Sequence, residues 1–194
     1  EVTNPGPDWI KTIEDSVKLP NVVAIGETGL DYFKQYGDKR QQIELFIQQL
    51  ELAQKHSLPV IIHNRNAGQD IFEILKDRLP EKGAIFHCYS EDAAYAKQCL
   101  DANMNVYFSF AGNLTYRNAR NLHETVMNIP LDRVLIETES PFMIPAEYRD
   151  KKRTMPEYLP STAKFLADML ESDIEKIAAQ LWTNSCKVFG LPEE

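Results

Sequence analysis

The sequence lacks the marks of a secreted or membrane protein. Its only cysteines, Cys88, Cys99 and Cys186, form no CxxC pair, which disfavours a disulfide framework and favours a reducing compartment. No apolar run approaches the roughly 20 residues that a membrane-spanning helix needs. No basic segment followed by an apolar one opens the chain as in a signal peptide. We therefore expect a cytoplasmic protein that does not use the membrane.

The sequence also lacks a basic excess. Its 21 Lys and Arg residues are outnumbered by 29 Asp and Glu residues, which gives a formal net charge of −8. A protein that binds nucleic acid non-specifically needs a basic face, so this class is disfavoured. A nuclease is not excluded, because bound divalent cations supply a positive field locally. No Gly-rich nucleotide-binding motif follows any predicted strand, which weakens a nucleotide-binding open sheet.

Apolar runs and helical patterns alternate along the chain. With 194 residues, 43% of them hydrophobic, it is long enough for one large domain, or most of one, spanning residues 1–194. Predicted strands cover residues 22–26, 59–63, 84–89, 105–110 and 132–139. Predicted helices cover residues 4–20, 38–56, 69–79, 91–101 and 116–127, and two more close the chain. Apolar strands separated by helices predict an α/β fold whose parallel sheet is buried on both faces.

Local signals predict where the helices begin and end. Asp38 and Ser90 are placed as N-caps, and Ser172 with Glu175 forms a capping box before the last helix. Gly190 is the expected stop of that helix. Two glycines, at positions 29 and 37, are expected to bracket a loop after the first strand.

Four predicted strands end in a residue type that binds metal ions. These residues are Glu27, His63, His87 and Glu139. Carboxylate oxygen suits hard divalent cations, and imidazole suits zinc-like and manganese-like ions. Two such ions about 3.5–4 Å apart can activate water and stabilise a phosphoryl transition state. We expect these side chains to share one site at the carboxyl edge of the sheet.

The sheet can close in two ways, as an open doubly wound sheet or as a (β/α) barrel. Functional side chains at the carboxyl ends of several strands are typical of a TIM-type barrel. A full eight-stranded barrel takes about 250 residues, whereas this chain shows five βα units. We therefore expect an incomplete barrel, with three strands outside the sequence.

Five motifs in chain order resemble those of the TatD family of metal-dependent deoxyribonucleases, which belong to the amidohydrolase-like barrels. They are GETGLDY at 26–32, PVIIHNR at 59–65, HCYS at 87–90, SFAGN at 109–113 and ETESPF at 137–142. TNSCKVFG at 183–190 extends the resemblance to nearly the whole chain. It implies a hydrolase that cleaves phosphodiester bonds of DNA, often from the 3′ end.

The resemblance also implies roles for individual residues. Glu27 would bridge two divalent ions, Mg²⁺, Mn²⁺ or Zn²⁺, and His63 and His87 would bind one of them. Glu139 would hold the other ion and help to activate the attacking water, so Glu27 and Glu139 are the expected catalytic residues. Substrate phosphates would be bound by three arginines, because guanidinium binds phosphate bidentately. They are Arg65 and, in the basic loop 148–153, Arg149 and Arg153.

Two departures from the family pattern affect the expected activity. The chain has no His-x-His pair, although the family opens with a strand that carries one, so the first three family strands are expected to be missing. Glu139 stands where the family has Asp, and a misplacement of about 1 Å can cost 10²-fold in rate. We therefore expect weak or absent nuclease activity from these 194 residues alone.

Two other functions stay open on the sequence. One is hydrolysis of an amide or ester bond at the same site, because barrels host many chemistries. The other is a non-catalytic partial paralogue that binds partners or self-associates through exposed sheet edges. Asp31 and Tyr32 also have two interpretations, orienting the metal ligands or forming a turn. His56 and His123 are expected on the surface.

Overall fold

The computed structural model describes residues 6–34 and 37–192. In this part of the chain, five strands form a single parallel sheet whose spatial order follows the sequence. They are β1 (Ile25–Asp31), β2 (Val60–Arg65), β3 (Ala84–Phe86), β4 (Val106–Phe110) and β5 (Val134–Ile136). This confirms the predicted α/β class, the parallel sheet and the number of strands.

Helices connect the strands and cover the sheet. They are α1 (Trp9–Ser16), α2 (Lys39–His56), α3 (Gly68–Arg78), α4 (Ala93–Asp101), α5 (Arg120–Asn128), α6 (Leu159–Met169) and α7 (Ile174–Phe189). Short 3₁₀ helices lie at Gly112–Thr115, Leu131–Arg133, Ala146–Tyr148 and Pro156–Tyr158. The start of the helix predicted over residues 4–20 falls partly outside the described residues.

Alternation along the strands separates two apolar clusters, because successive side chains point to opposite faces. The outer face packs under the helices and supplies the main core. Its strand residues include Val60, Ile62, Ala84, Phe86, Val106, Phe108, Phe110 and Val134. The inner face carries a smaller cluster of Ile61, Ile85, Tyr107 and Leu135, which the end of α7 covers with Val188 and Phe189.

Strand β1 differs from its prediction in a way that shapes the site. It begins at Ile25 instead of residue 22 and continues through Asp31, so placing Asp31 in a loop was wrong. Pairing with β2 extends β1 to this residue, because Gly29 pairs with His63 and Asp31 pairs with Arg65. Gly29 has φ +132°, and a Cβ there would lie 2.0 Å from the His63 carbonyl oxygen. Only glycine allows this close approach.

Two predicted N-caps were wrong by one or two residues. Asp92, not Ser90, caps α4 by accepting from the Tyr95 N–H at 2.9 Å. Asp173, not Ser172, caps α7 by accepting from the Glu175 N–H at 3.0 Å. In both places an Asp one or two residues after the predicted Ser supplies the capping oxygen. Asp38 does cap α2, through the Gln41 N–H.

The end of the chain is tied to β5. Gly190 ends α7 in the left-handed conformation, φ 65°, as predicted. Asn184, which is 1% exposed, donates from Nδ2 to the carbonyl oxygens of Leu131 and Val134 at 2.8 and 2.7 Å. These bonds satisfy backbone groups at the start of β5. They fix the helix that covers the inner face.

None of the helices in the described ranges combines the length and apolar character that crossing a bilayer requires. The cytoplasmic location stays a prediction.

Candidate metal centre

The site begins with an irregularity in β1. Ile25 pairs with Val60 and Thr28 with Ile62, so Gly26 and Glu27 together stand opposite Ile61 alone. This is a β-bulge, a device that re-aims a side chain. Gly26 permits it, because a Cβ there would lie 2.6 Å from the Ile61 Cβ. The bulge brings Glu27, 56% exposed, toward the histidines of β2 and β3.

One group of three residues at the carboxyl edge could hold a metal ion. Glu27, His63 and His87 each offer a ligand atom, and these atoms lie within 4.8 Å of one another. The His87 Nε2 atom is 3.4 Å from the Glu27 Oε2 atom. The two imidazole rings are 6.2 Å apart. The structure therefore brings together three of the four predicted ligands directly.

A second group shares His87 and contains the fourth predicted ligand. His87, Glu137 and Glu139 also place ligand atoms within 4.8 Å of one another. The His87 Nδ1 atom is 2.9 Å from Glu137 Oε1 and 3.5 Å from Glu139 Oε2. Glu139 has φ 55°, in the left-handed region that is uncommon for residues other than glycine. Its carboxylate thus approaches the side of His87 opposite to Glu27.

Glu137 contacts the candidate metal ligand His87, and the sequence analysis did not single it out. Its Oε1 atom accepts from the Cys88 N–H at 2.9 Å as well as contacting His87. A carboxylate on Nδ1 holds one tautomer of the imidazole and leaves Nε2 free to bind a metal ion. Strand alternation was the available signal, because residues 137 and 139 share a face in an extended chain.

Asp31 orients His63 in a similar way. Its Oδ2 atom lies 3.2 Å from His63 Nε2, and its Oδ1 atom accepts from the Phe33 and Lys34 N–H groups at 2.9 Å. Asp31 thus fulfils both of its proposed interpretations, as a partner of His63 and as a turn-former. Tyr32 lies in the turn that follows β1, in line with the second interpretation, and its hydroxyl donates to Asp70 at 2.6 Å.

Carboxylates control the protonation of the metal-free site. Burial alone would lower the pKa of His87, but the hydrogen bond to Glu137 and the charges of Glu137, Glu27 and Glu139 raise it to about 9. Burial raises the pKa of Glu139, and its two carboxylate neighbours act in the same direction. Burial also raises the pKa of the Cys88 thiol, which favours its protonated, weakly nucleophilic form.

A cleft with a volume of about 550 Å³ opens beside the metal group. Glu27, His63, Glu139, Arg65 and Phe142 are among its lining residues. Of the predicted substrate arginines, only Arg65 lies in this lining. Arg149 instead stacks over the Tyr116 ring, with its Cζ atom 4.5 Å from the ring centroid. Arg153 is exposed in the basic loop, outside the lining of the cleft.

The two histidines that were expected on the surface are half-buried instead. His123 lies 2.8 Å from the Leu114 carbonyl oxygen through Nε2 and packs against the Phe165 ring. His56 has its Nε2 atom buried at the end of α2. The expectation of a surface position therefore holds only in part for both residues, because neighbouring segments cover one side of each imidazole. Neither residue belongs to the metal group.

The donor set fits a divalent cation. One carboxylate and two imidazoles within 4.8 Å of one another suit zinc-like or manganese-like ions. Each histidine has its own carboxylate partner, Asp31 for His63 and Glu137 for His87, the usual outer arrangement of a metal-bound imidazole. The arrangement can therefore hold an ion at the carboxyl edge beside an open cleft.

The family model for TatD-related DNases matches residues 1–190. The chain belongs to the TatD family. An uncharacterized metal-dependent hydrolase of Bacillus subtilis, YabD, is 41% identical over 184 residues, which are 94% of this chain and 70% of the relative. A protein of Erwinia amylovora named 3′-5′ ssDNA/RNA exonuclease TatD is 35% identical over 184 residues, which are 93% of this chain and 71% of the relative.

A solved structure shares the fold. The crystal structure of YJJV, a TatD homologue of Escherichia coli, matches with a TM-score of 0.86 and 25% identity. The match covers 97% of this chain and 72% of that one. TatD-family membership is thus confirmed. The expectation that the first three family strands are missing is not supported, because the family match runs over residues 1–190.

Proposed function

We propose that this TatD-family protein is a divalent-metal-dependent nuclease that removes nucleotides from the 3′ ends of single-stranded DNA. The observation that carries the proposal is the convergence of Glu27, His63 and His87, with Glu139 nearby, at one cleft. The Erwinia relative, named an exonuclease of single-stranded DNA and RNA, supports a nucleic-acid substrate.

Each side chain has a role that follows from its position. Glu27, His63 and His87 would hold one divalent ion, and Glu27 with Glu139 would hold a second. When bound, such ions polarise a phosphoryl oxygen and lower the pKa of water. Glu139, half-buried beside the cleft, would accept the proton of the attacking water. Glu137 and Asp31 would keep the two imidazoles in the required tautomer and orientation.

The arginines divide by position. Arg65 lines the cleft, where its guanidinium would bind the scissile phosphate or its neighbour bidentately. Arg149 and Arg153 belong to the loop after β5, and we propose that they contact phosphates farther along the strand. Arg149 is held by its stacking on Tyr116.

We also propose the domain organisation, the surface of self-association and the location of the protein. Residues 1–194 would form one domain whose five strands belong to a TIM-type barrel. The outer edges of β1 and β5, unpaired within the described residues, are where self-association would take place. We propose the cytoplasm as its location.

The test is hydrolysis of a 5′-labelled single-stranded oligonucleotide with Mg²⁺ or Mn²⁺, compared with aryl ester and amide substrates. We expect slow stepwise shortening from the 3′ end, in keeping with the Glu at position 139 where the family has Asp. EDTA should abolish it, and Glu27→Gln should reduce it at least about 100-fold, in line with loss of a metal ligand. The exposed Glu124→Gln on α5 is the matched control and should retain the wild-type rate. Ester or amide turnover without phosphodiester cleavage would contradict the proposal.

A further inference from the structure

We propose that the cleft carries a nucleobase-binding rim made of Phe142 on one side and of Arg65 stacked on Phe33 on the other. This inference rests on the proposed function and deepens it, since it states how a single strand is held beside the metal centre. The ligand is an unpaired base of a single strand. Any of the bases can bind in this way, because each has a π-face that can stack.

The Phe33–Arg65 stack is built at the ends of two neighbouring strands. Arg65 is the last residue of β2, and its Cζ atom lies 4.1 Å from the centroid of the Phe33 ring. Phe33 follows β1 in the turn that Asp31 holds through the Phe33 N–H. The ring is 58% exposed. Because Arg65 also lines the cleft, its guanidinium presents a flat cationic surface there, on which a base can stack.

Phe142 lies on a wall of the same cleft and is fixed in place. Its side chain is 65% exposed, and its N–H donates to the Glu139 carbonyl oxygen at 2.7 Å. The preceding Pro141 accepts from the Thr154 N–H at 3.0 Å. The following Met143 packs closely on Gly112, where a Cβ would lie 2.1 Å from the Met143 carbonyl oxygen. The backbone that carries the ring is thus held close to Glu139, in a loop anchored on both sides of Phe142.

Charge explains why such a rim is needed. The chain has a formal net charge of −8, and in the lining of the cleft the carboxylates of Glu27, Asp31 and Glu139 outnumber the basic side chains of Lys34 and Arg65. Attraction of phosphates to basic residues therefore contributes less than in a basic nucleic-acid binder. Stacking of bases on aromatic rings supplies affinity without net charge. The exposed Phe142 ring lines this cleft and is placed to provide that contribution, beside the Arg65 guanidinium that stacks on Phe33.

The experiment compares a normal oligonucleotide with one of equal charge that lacks bases. Binding of 5′-fluorescein oligothymidylate with hydrolysis-resistant phosphorothioate linkages is followed by fluorescence anisotropy, beside its abasic counterpart. We expect the protein with Mn²⁺ to bind the normal strand about tenfold more tightly, the equivalent of one stacked base. Phe142→Ala should remove most of that preference, and Phe142→Trp should retain it.

Trp182→Ala is the matched control, because Trp182 is comparably exposed at 54% but lies on α7 outside the cleft lining. This variant should keep the wild-type preference. Equal binding of normal and abasic strands by the wild-type protein, or a full preference in Phe142→Ala, would overturn the rim. Hydrolysis of methyl p-nitrophenyl phosphate, which lacks a base, tests the proposed phosphodiesterase separately, so the two failures are distinguishable.

Discussion

The two faces of the sheet have different roles, because one packs into the core and the other carries the candidate metal centre. On the outer face, β2, β3 and β4 contribute apolar side chains to the core under the helices. On the inner face, the same strands are apolar only near their amino ends, where Val188 and Phe189 of α7 cover them. Toward the carboxyl ends the inner face becomes polar and carries His63, His87 and Glu137. Because successive side chains of a strand point to opposite faces, a single strand contributes both to the core and to the candidate metal centre.

The comparison predicts that substitutions on the two faces change different quantities. The outer face is filled by close aromatic packing, whereas the inner edge holds charged groups that repel one another without a cation. Loss of an outer side chain should lower the free energy of unfolding. Loss of an inner one should lower metal affinity.

The largest expected effect on the outer face is that of Phe108→Ala. Phe108 is fully buried, stacked on Phe86 with ring centroids 5.7 Å apart and edge-on to Tyr89 at 5.1 Å. The truncation should lower the free energy of unfolding by about 3–5 kcal/mol, because it leaves a cavity. Urea denaturation measures this. Phe108→Leu is the control and should lower the free energy of unfolding by less. A decrease of under about 1 kcal/mol in Phe108→Ala would contradict the comparison.

The next effect is on the inner face. His87→Ala should weaken Mn²⁺ binding by about 100-fold or more, because it removes an atom from both possible metal groups. Isothermal titration calorimetry measures the affinity. His123→Ala is the matched control, since His123 contacts the Leu114 carbonyl oxygen and not the site. An unchanged Mn²⁺ affinity in His87→Ala would remove His87 from the centre.

A smaller effect is expected from Glu137→Gln, which sharpens the distinction between ligands and the groups that position them. The Gln side chain can no longer hold the Nδ1–H of His87 as a carboxylate does, so Mn²⁺ affinity should fall about 10- to 100-fold. The ¹⁵N NMR spectrum of the metal-free protein, recorded above pH 9 where the His87 imidazole is neutral, should show His87 losing its preference for one tautomer. Wild-type affinity with an unchanged tautomer would show that Glu137 is merely packed there.

The smallest effect is the pH dependence of the metal-free protein. The folded-state pKa of His87, about 9, lies above its ordinary value of 6.5. The protonated imidazole therefore stabilises the fold fully below pH 6.5, and this contribution is lost as the pH rises through 9. The free energy of unfolding in EDTA should decrease over that window. A flat profile, or the same decrease in His87→Gln, would contradict the assignment to His87.

The parts of this structure that sequence predicts are those that short-range pattern controls. The five strands, the cap at Asp38 and the stop at Gly190 follow from periodicity and capping chemistry. The proximity of Glu27, His63 and His87 follows from the rule that the carboxyl ends of parallel strands lie at one edge of the sheet. The TatD resemblance came from five motifs in order.

Other features depend on contacts between distant segments. The bulge at Gly26 and Glu27 is set by the register against Ile61, which no local pattern encodes. Glu137 matters because the Cys88 N–H and the His87 ring, 49 and 50 positions away, lie against it.

The central claim is that Glu27, His63 and His87 bind one divalent ion at the inner carboxyl edge of the sheet. Anomalous diffraction from crystals grown with Mn²⁺ tests it most directly. The account predicts a strong anomalous peak within bonding distance of all three side chains, roughly 2.0–2.3 Å from each ligand atom. A peak confined to other residues, or no peak at saturating Mn²⁺, would contradict it.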